Sequence, residues 1–441
     1  MPRRVVITGM GWVTPLGRDL RQVWTRLTRG ESGFGRVRRF DASTFATNFA
    51  AEAPLFELAD VLPSGSRHEF AGVSTRFALA AARDAWTMAG LDKRGHQPER
   101  TGTYLGAGEG MPDFDNFVRA NLTAYDPATR TINDQAWTRA ALAGLDVHME
   151  LEQEPNATVA HVAREFDLRG PSMNCMTACA ASTQAIGEAY ELIRRGDADA
   201  MLAGGTHSMI HPLGMTGFIR LTAMSTRRDS PHAASRPFDA NRDGFVMGEG
   251  AGMLVLEDAE RALARGATPL AEIAGFGSSA DAFRITDIQP DGKGAISAML
   301  QACRQAGINP REPGDDGRPQ VQYVSAHGTG TQENDRIETL AVKGVFGPLA
   351  PKVPFSSVKS VLGHLIQAAG AVELMTCVMA MQTGVLPPTM NLSAPDPECD
   401  LDYVANGARD VTAQGGVHAC LSNSFGFGGQ NNTLCVRRWR A

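Results

Sequence analysis

Short apolar strands that run into glycines, with helical stretches between them, recur along the whole 441-residue chain. Arg4–Gly11 (RVVITGMG) opens the pattern as a buried strand ending at a glycine turn. Thr101–Gly110 and Ala198–Gly205 are further strands running into glycines, and Met253–Glu257 (MLVLE) is a fourth. Helical patterns cover Leu20–Gly30 and Thr75–Ala89, the second stopped by Gly90. This alternation predicts a layered α/β fold. The pattern restarts near Leu270 (LAEIAGFGSS), again a strand and then glycines. A helix over Gly294–Gly307, a strand Val321–Ser325, a helix around Asp335–Phe346 and a strand Val353–Ser357 follow. The last strands, Val417–Asn423 and Thr433–Arg437, flank a glycine-rich turn. Two halves of one kind, with no linker between them, predict an internal duplication packed as one unit. Outside this pattern, residues 31–70 read as an irregular surface excursion. Residues 111–160 read as a cap or a partner-facing insertion, and Arg169–Asn174 as the approach to the turn that follows.

Composition excludes several classes. The formal charge of −6 does not advertise nucleic-acid or anionic-membrane binding. No apolar run approaches the length of a membrane span. The seven cysteines are odd in number and contain no CxxC pair, which argues against a disulfide framework and a zinc site. A reducing, cytoplasmic setting is the expectation, and it suits a free thiol.

Four stretches carry chemistry. In Met176–Ser182 (MTACAAS), Cys179 precedes a helical stripe at Ile186, Ala189, Tyr190 and Ile193. A helix N-terminus favours thiolate over thiol, so Cys179 is a candidate nucleophile. Taken alone, a buried structural cysteine is the commoner case. In Ser325–Thr331 (SAHGTGT), His327 follows a buried strand, and Gly328 and Gly330 allow close approach to the backbone. A core histidine in a glycine turn is about as frequent a reading. In Ser357–Gly370 (SVKSVLGHLIQAAG), Lys359 and His364 lie across a turn into a helix whose stripe is Leu365, Ala368, Ala369 and Val372. Glu373 on that helix is in register to pair with Lys359, which otherwise would be a surface lysine. Ser422–Asn431 (SNSFGFGGQN) is a glycine-rich loop able to present backbone N–H groups, or an ordinary hairpin turn.

Together these motifs, with Arg236–Gly252 (RPFDANRDGFVMGEGAG), resemble the β-ketoacyl synthases of fatty-acid and polyketide synthesis, within the thiolase-like superfamily. The resemblance runs from VVITGMG to SNSFGFGGQN and is to the elongating type that takes acyl chains from acyl carrier protein. It implies a duplicated α-β-α-β-α fold, with a first half over 1–265 and a second over 266–441. The second half carries His327, Lys359, His364 and the loop 424–431. The implied reaction is a decarboxylative Claisen condensation of an acyl thioester with malonyl thioester. Cys179 would carry the acyl group, with backbone N–H groups of Cys179 and Phe427 as oxyanion donors. His327 and His364 would hold the enolate, and Lys359 would be paired with Glu373. Asp335 and Glu338 would support the site, Thr329 and Thr331 would bind the phosphopantetheine arm, and Phe427 would act as a gate. The resemblance implies no metal and no bound cofactor. It implies a dimer, of identical chains or with a related ketosynthase-like chain. Two other readings compete: a partner subunit that sets chain length, and a coenzyme A-dependent thiolase. The retained Cys179, His327, His364 and Lys359 argue against the first, and a histidine pair in place of a second cysteine against the second. Four positions depart from the family pattern: Gln367, where Gly is usual, Gln430 and Leu362, where Thr is common, and His207, where an acidic residue is common.

Overall fold

The computed structural model describes residues 2–94, 96–108, 110 and 113–440. Its first half contains strands β1 (Val5–Val13), β2 (Thr101–Gly106), β3 (Ser172–Cys175), β4 (Ala200–His207) and β5 (Gly250–Asp258), with helices α1 (Val73–Ala89) and α2 (Ala181–Arg195). The second half repeats the plan. It has β6 (Ala271–Ala280), β7 (Tyr323–Ser325), β8 (Phe355–Ser356), β9 (Ala419–Gly426) and β10 (Gln430–Arg437), with α3 (Lys293–Gln305), α4 (Gln332–Phe346) and α5 (Ala369–Thr383).

All ten strands form one sheet in the order β8-β7-β9-β10-β6-β1-β5-β4-β2-β3. Read outward from the centre, the two halves match strand for strand. In each, the inner pairs are antiparallel and the outer two are parallel. The halves meet in a short antiparallel ladder of β1 with β6, Val5–Ile7 against Ala271–Ile273. The helices repeat too. Both α2 and α5 have 15 residues, follow a one-turn 3-10 segment, and end on a left-handed glycine, Gly196 or Gly384.

α5 is buried on nearly every face, the mark of a helix enclosed on all sides. With α2 it fills a central core between the two half-sheets. A second core packs α1 on the outer face of the first half, and a third packs α3 and α4 on the outer face of the second. The layers therefore run α-β-α-β-α, as expected.

Two expectations need correction. Residues 31–70 are not a surface excursion: Phe34, Phe49 and Ala51 form a buried cluster with Val246, and Leu58 and Leu62 join the α1 core. Their apolar residues were hidden by the lack of any period. Arg169–Asn174 is not only an approach, because Ser172–Cys175 forms the edge strand β3, largely polar and half-exposed. The cap forms helices over Phe114–Ala124, Asp134–Gly144, Val147–Leu151 and Ala157–Phe166; its first two residues, 111 and 112, lie outside the described residues.

Candidate active site

Each half delivers one strained turn to the centre of the molecule. Before α2, Ala178 has φ 46° and Cys179 stands in the 3-10 turn Ala178–Ala180. Before α5, Ile366 has φ 44° and Gln367 occupies the position that Cys179 occupies in the first half. Left-handed backbone at a β-branched residue costs on the order of 1–3 kcal/mol and persists only where the surroundings enforce it.

Cys179 Sγ lies 3.0 Å from His364 Nε2. The His327 ring stands beside His364 in an edge arrangement, with centroids 5.4 Å apart and planes at 83°. Phe245 packs edge-on against His364, and Phe425 lies against His327. His364 is not itself helical; it precedes the 3-10 turn that leads into α5. All three reactive groups are buried.

The thiol is not the low-pKa group that a helix N-terminus suggests. Burial pushes Cys179 up to about 12, against the opposing pull of the Lys359 charge and the backbone N–H groups of Cys179 and Phe427. A one-turn 3-10 segment has little dipole to offer, so desolvation wins. Burial also holds His327 and His364 well below the usual imidazole value, and the nearby Lys359 charge adds to this. At neutral pH the Cys179–His364 contact is therefore between neutral groups. The two N–H groups that act on the thiol, those of Cys179 and Phe427, are the pair to which the resemblance assigns an oxyanion role. Gly426 makes room for them: a Cβ there would stand 2.9 Å from Thr177 O and 3.2 Å from Cys179 N.

Behind the histidines lies a chain of buried charge. Lys359 Nζ donates to His327 O at 2.6 Å and pairs with Glu373. Glu338 accepts from the backbone N–H groups of His327 and Gly328 at 2.9 and 2.8 Å, and from Asn423 Nδ2 at 3.1 Å. Burial raises both Glu373 and Glu338 to about 7. Asp335 accepts from the N–H groups of Gly330 and Phe238. So Glu338 and Asp335 hold the His327–Thr331 turn from beneath and do not line the cavity.

That cavity, about 620 Å³, is lined by Cys179, His327, His364, Thr329, Thr331 and Phe427. The Thr329 and Thr331 hydroxyls share a hydrogen bond of 3.0 Å on its wall. The structure thus brings together every expected site residue, either on the cavity or directly behind it. Sequence reasoning missed Asn423, Phe245 and Arg242, whose guanidinium is buried beside Asp335 and Asp396. The last two lie in Arg236–Gly252, which was quoted as a motif without roles.

The two halves of the chain match the two halves of one family. The β-ketoacyl synthase N-terminal domain matches residues 2–262, and the C-terminal domain matches residues 270–393. The 3-oxoacyl-[acyl-carrier-protein] synthase 2 of Coxiella burnetii is 41% identical over 437 residues, covering 99% of each chain. That of Synechocystis sp. is 38% identical over 440 residues, again covering 99% of each chain. Among solved structures, a β-ketoacyl synthase from Burkholderia phymatum is similar with a TM-score of 0.85 and 34% identity, over 99% of this chain and 100% of that one. The ishigamide ketosynthase/chain length factor is similar with a TM-score of 0.85 and 32% identity, over 100% of both chains. On this evidence the chain belongs to the β-ketoacyl synthase family.

Proposed function

We propose that this chain is an elongating β-ketoacyl-[acyl-carrier-protein] synthase of fatty-acid or type II polyketide synthesis. The observation that carries this is Cys179 Sγ, 3.0 Å from His364 with His327 beside it, on a cavity whose wall bears Thr329 and Thr331. The threonine hydroxyls suit the amides of a phosphopantetheine arm arriving on acyl carrier protein.

In the first stage Cys179 sulfur passes its proton to His364 Nε2, 3.0 Å away, as it attacks the acyl carbonyl carbon. The carbonyl electrons move to oxygen, which the N–H groups of Cys179 and Phe427 receive. Collapse expels the carrier sulfur, which takes that proton back from His364 and leaves as the free thiol, and an acyl-Cys179 thioester remains. In the second stage a malonyl thioester loses carbon dioxide, and the freed electron pair becomes an enolate. Ring N–H groups of His327 and His364 hold its oxygen. The enolate carbon then attacks the acyl-Cys179 carbonyl and expels the Cys179 thiolate as the new C–C bond forms. Movement of Phe427, half-buried on the cavity wall, separates the two stages.

One donor atom each from Cys179, His327 and His364 lies within 4.8 Å of the others. We read this as a nucleophile and two donors that serve the acyl carbonyl and the enolate oxygen in turn, not as a metal-ligand set. The charge of Lys359 beside the histidines would repel a cation, and the thiol holds its proton. The scheme uses no metal and no bound cofactor.

The histidine roles can be separated. His327→Ala is expected to retain acylation of Cys179 within about tenfold and to lose condensation by about 10²–10⁴-fold. His364→Ala, which also removes the contact to Sγ, is expected to slow both stages. Mass spectrometry of the Cys179 peptide reads acylation, and release of labelled carbon dioxide from malonyl carrier protein reads decarboxylation. Equal loss of both stages in His327→Ala would overturn this division.

We also read the protein as a dimer, of identical chains or with a related ketosynthase-like chain. Strand β3 is a sheet edge, and Met173 on it is 43% exposed. On the cap, Leu122 and Leu142 are 70% and 84% exposed. Apolar exposure of this kind beside an open strand edge marks an association surface. Met173→Asp is expected to convert a dimer to a monomer, read by light scattering; an unchanged mass would sink the assignment of this edge. Among the described residues no helix is long and apolar enough to cross a membrane. All seven cysteines are free, which fits the reducing cytoplasm.

A further inference from the structure

Two of the residues that depart from the family pattern meet. Gln367 Oε1 and His207 Nδ1 are 3.3 Å apart, and both side chains are buried, 8% and 2% exposed. His207 closes strand β4, and Gln367 stands in the turn that opens α5, so this hydrogen bond ties one half of the molecule to the other. The amide of Gln367 also fills the space over Gly108: a Cβ at Gly108 would stand 2.0 Å from Gln367 Nε2.

The residues next to this pair wall the apolar side of Cys179. Ile366, held at φ 44°, lines the cavity and belongs to one apolar cluster with Cys179, Met209, Ile210 and Phe218. Met209 and Ile210 follow His207 by two and three residues. Cys179 itself belongs to this apolar cluster, so an acyl chain carried on its sulfur packs there. A chain that outgrows the space beside Ile366 has to part the 366–367 turn from the 207–210 segment. The Gln367–His207 bond closes that seam.

We propose that Gln367 and His207 are specificity-determining positioning residues that hold the seam shut and restrict Cys179 to short acyl chains. This rests on the reading of Cys179 as the acyl carrier. A chain with glycine at 367 has neither the bond nor the filled space over Gly108, and its seam opens. A carboxylate at 207 would also lose the imidazole partner of Gln367. The pair does not touch the reacting atoms, so it alters which acyl chains load rather than the chemistry of loading.

The test is acyl occupancy of the Cys179 peptide by mass spectrometry, after mixing the full chain with butyryl- or palmitoyl-acyl carrier protein. The wild type is expected to load butyryl at least about tenfold faster than palmitoyl, and Gln367→Gly to raise the palmitoyl-to-butyryl ratio by at least about tenfold. Gln367→Asn, whose amide is too short to reach His207, is expected to move the ratio the same way and serves if the glycine variant does not fold. A general loss of structure would lower both donors together and leave the ratio in place. An equal wild-type preference for both chains, or an unchanged ratio in a variant that still loads butyryl at near the wild-type rate, overturns the inference while leaving Cys179 as nucleophile. No acyl group on Cys179 from either donor would overturn that nucleophile reading and this inference with it.

Discussion

Cys179→Ala is expected to abolish the acyl-enzyme and to lower condensation by on the order of 10⁴-fold or more. The reason is geometric as well as chemical. Cys175, at the end of β3 and four residues before Cys179, has its Sγ engaged with Ala181 O at 3.3 Å. It is not on the cavity and cannot take over. Removing Sγ removes the atom on which the N–H groups of Cys179 and Phe427 and the His364 ring act together. The assay is formation of the 3-oxoacyl product from acyl and malonyl carrier proteins, with intact-mass analysis for covalent acyl. Wild-type condensation by the alanine variant would refute the nucleophile assignment. The variant should keep the fold, since the thiol makes no hydrogen bond that supports an element of the core.

Lys359→Ala is expected to cost about 3–5 kcal/mol of stability, because it strands a buried charge. Lys359 and Glu373 are 1% and 2% exposed, and burial already raises Glu373 to about 7. Without the ammonium, the carboxyl must stay neutral or sit unpaired between α5 and the His327 turn. His327 O also loses its donor. The double variant Lys359→Met/Glu373→Leu should recover most of that stability, since replacing both partners removes the desolvation penalty. It should not recover condensation, because the histidine turn has lost its anchor. Urea unfolding of the three variants checks the cycle. A Lys359→Ala cost below about 1 kcal/mol would mean that the pair behaves as an exposed one.

The layered fold was legible in sequence because its strands are short apolar runs punctuated by glycine, and α1, α2 and α5 are rich in alanine. What was not legible had no period to show. The edge strand Ser172–Cys175 alternates nothing: none of its four residues is fully buried, so neither of its faces carries an apolar stripe. Phe34, Phe49, Leu58 and Leu62 are buried from an irregular segment, where neither a helical nor a strand spacing could reveal them. At the site, the residue types identified Cys179, His327, His364 and Lys359, and the register of α5 identified Glu373. The protonation state was another matter. A position before a helix suggested a thiolate, but the decisive quantity was burial, which depends on β9 and the Phe427 loop hundreds of residues away. Gln367 and His207 stood out as departures in sequence; only the fold shows that they are one contact.

The division of the site between the halves has a consequence for how the protein is made. The first half brings the sulfur. The second brings the Lys359 charge, the Phe427 N–H and both imidazoles. Until translation enters the second half the sulfur has none of these beside it, and until residue 427 is made it still lacks one N–H donor. A chain that stops before the last strands thus carries the sulfur without the assembled site. The complete site arrives with the last strands, β9 and β10, which carry the Phe427 turn between them.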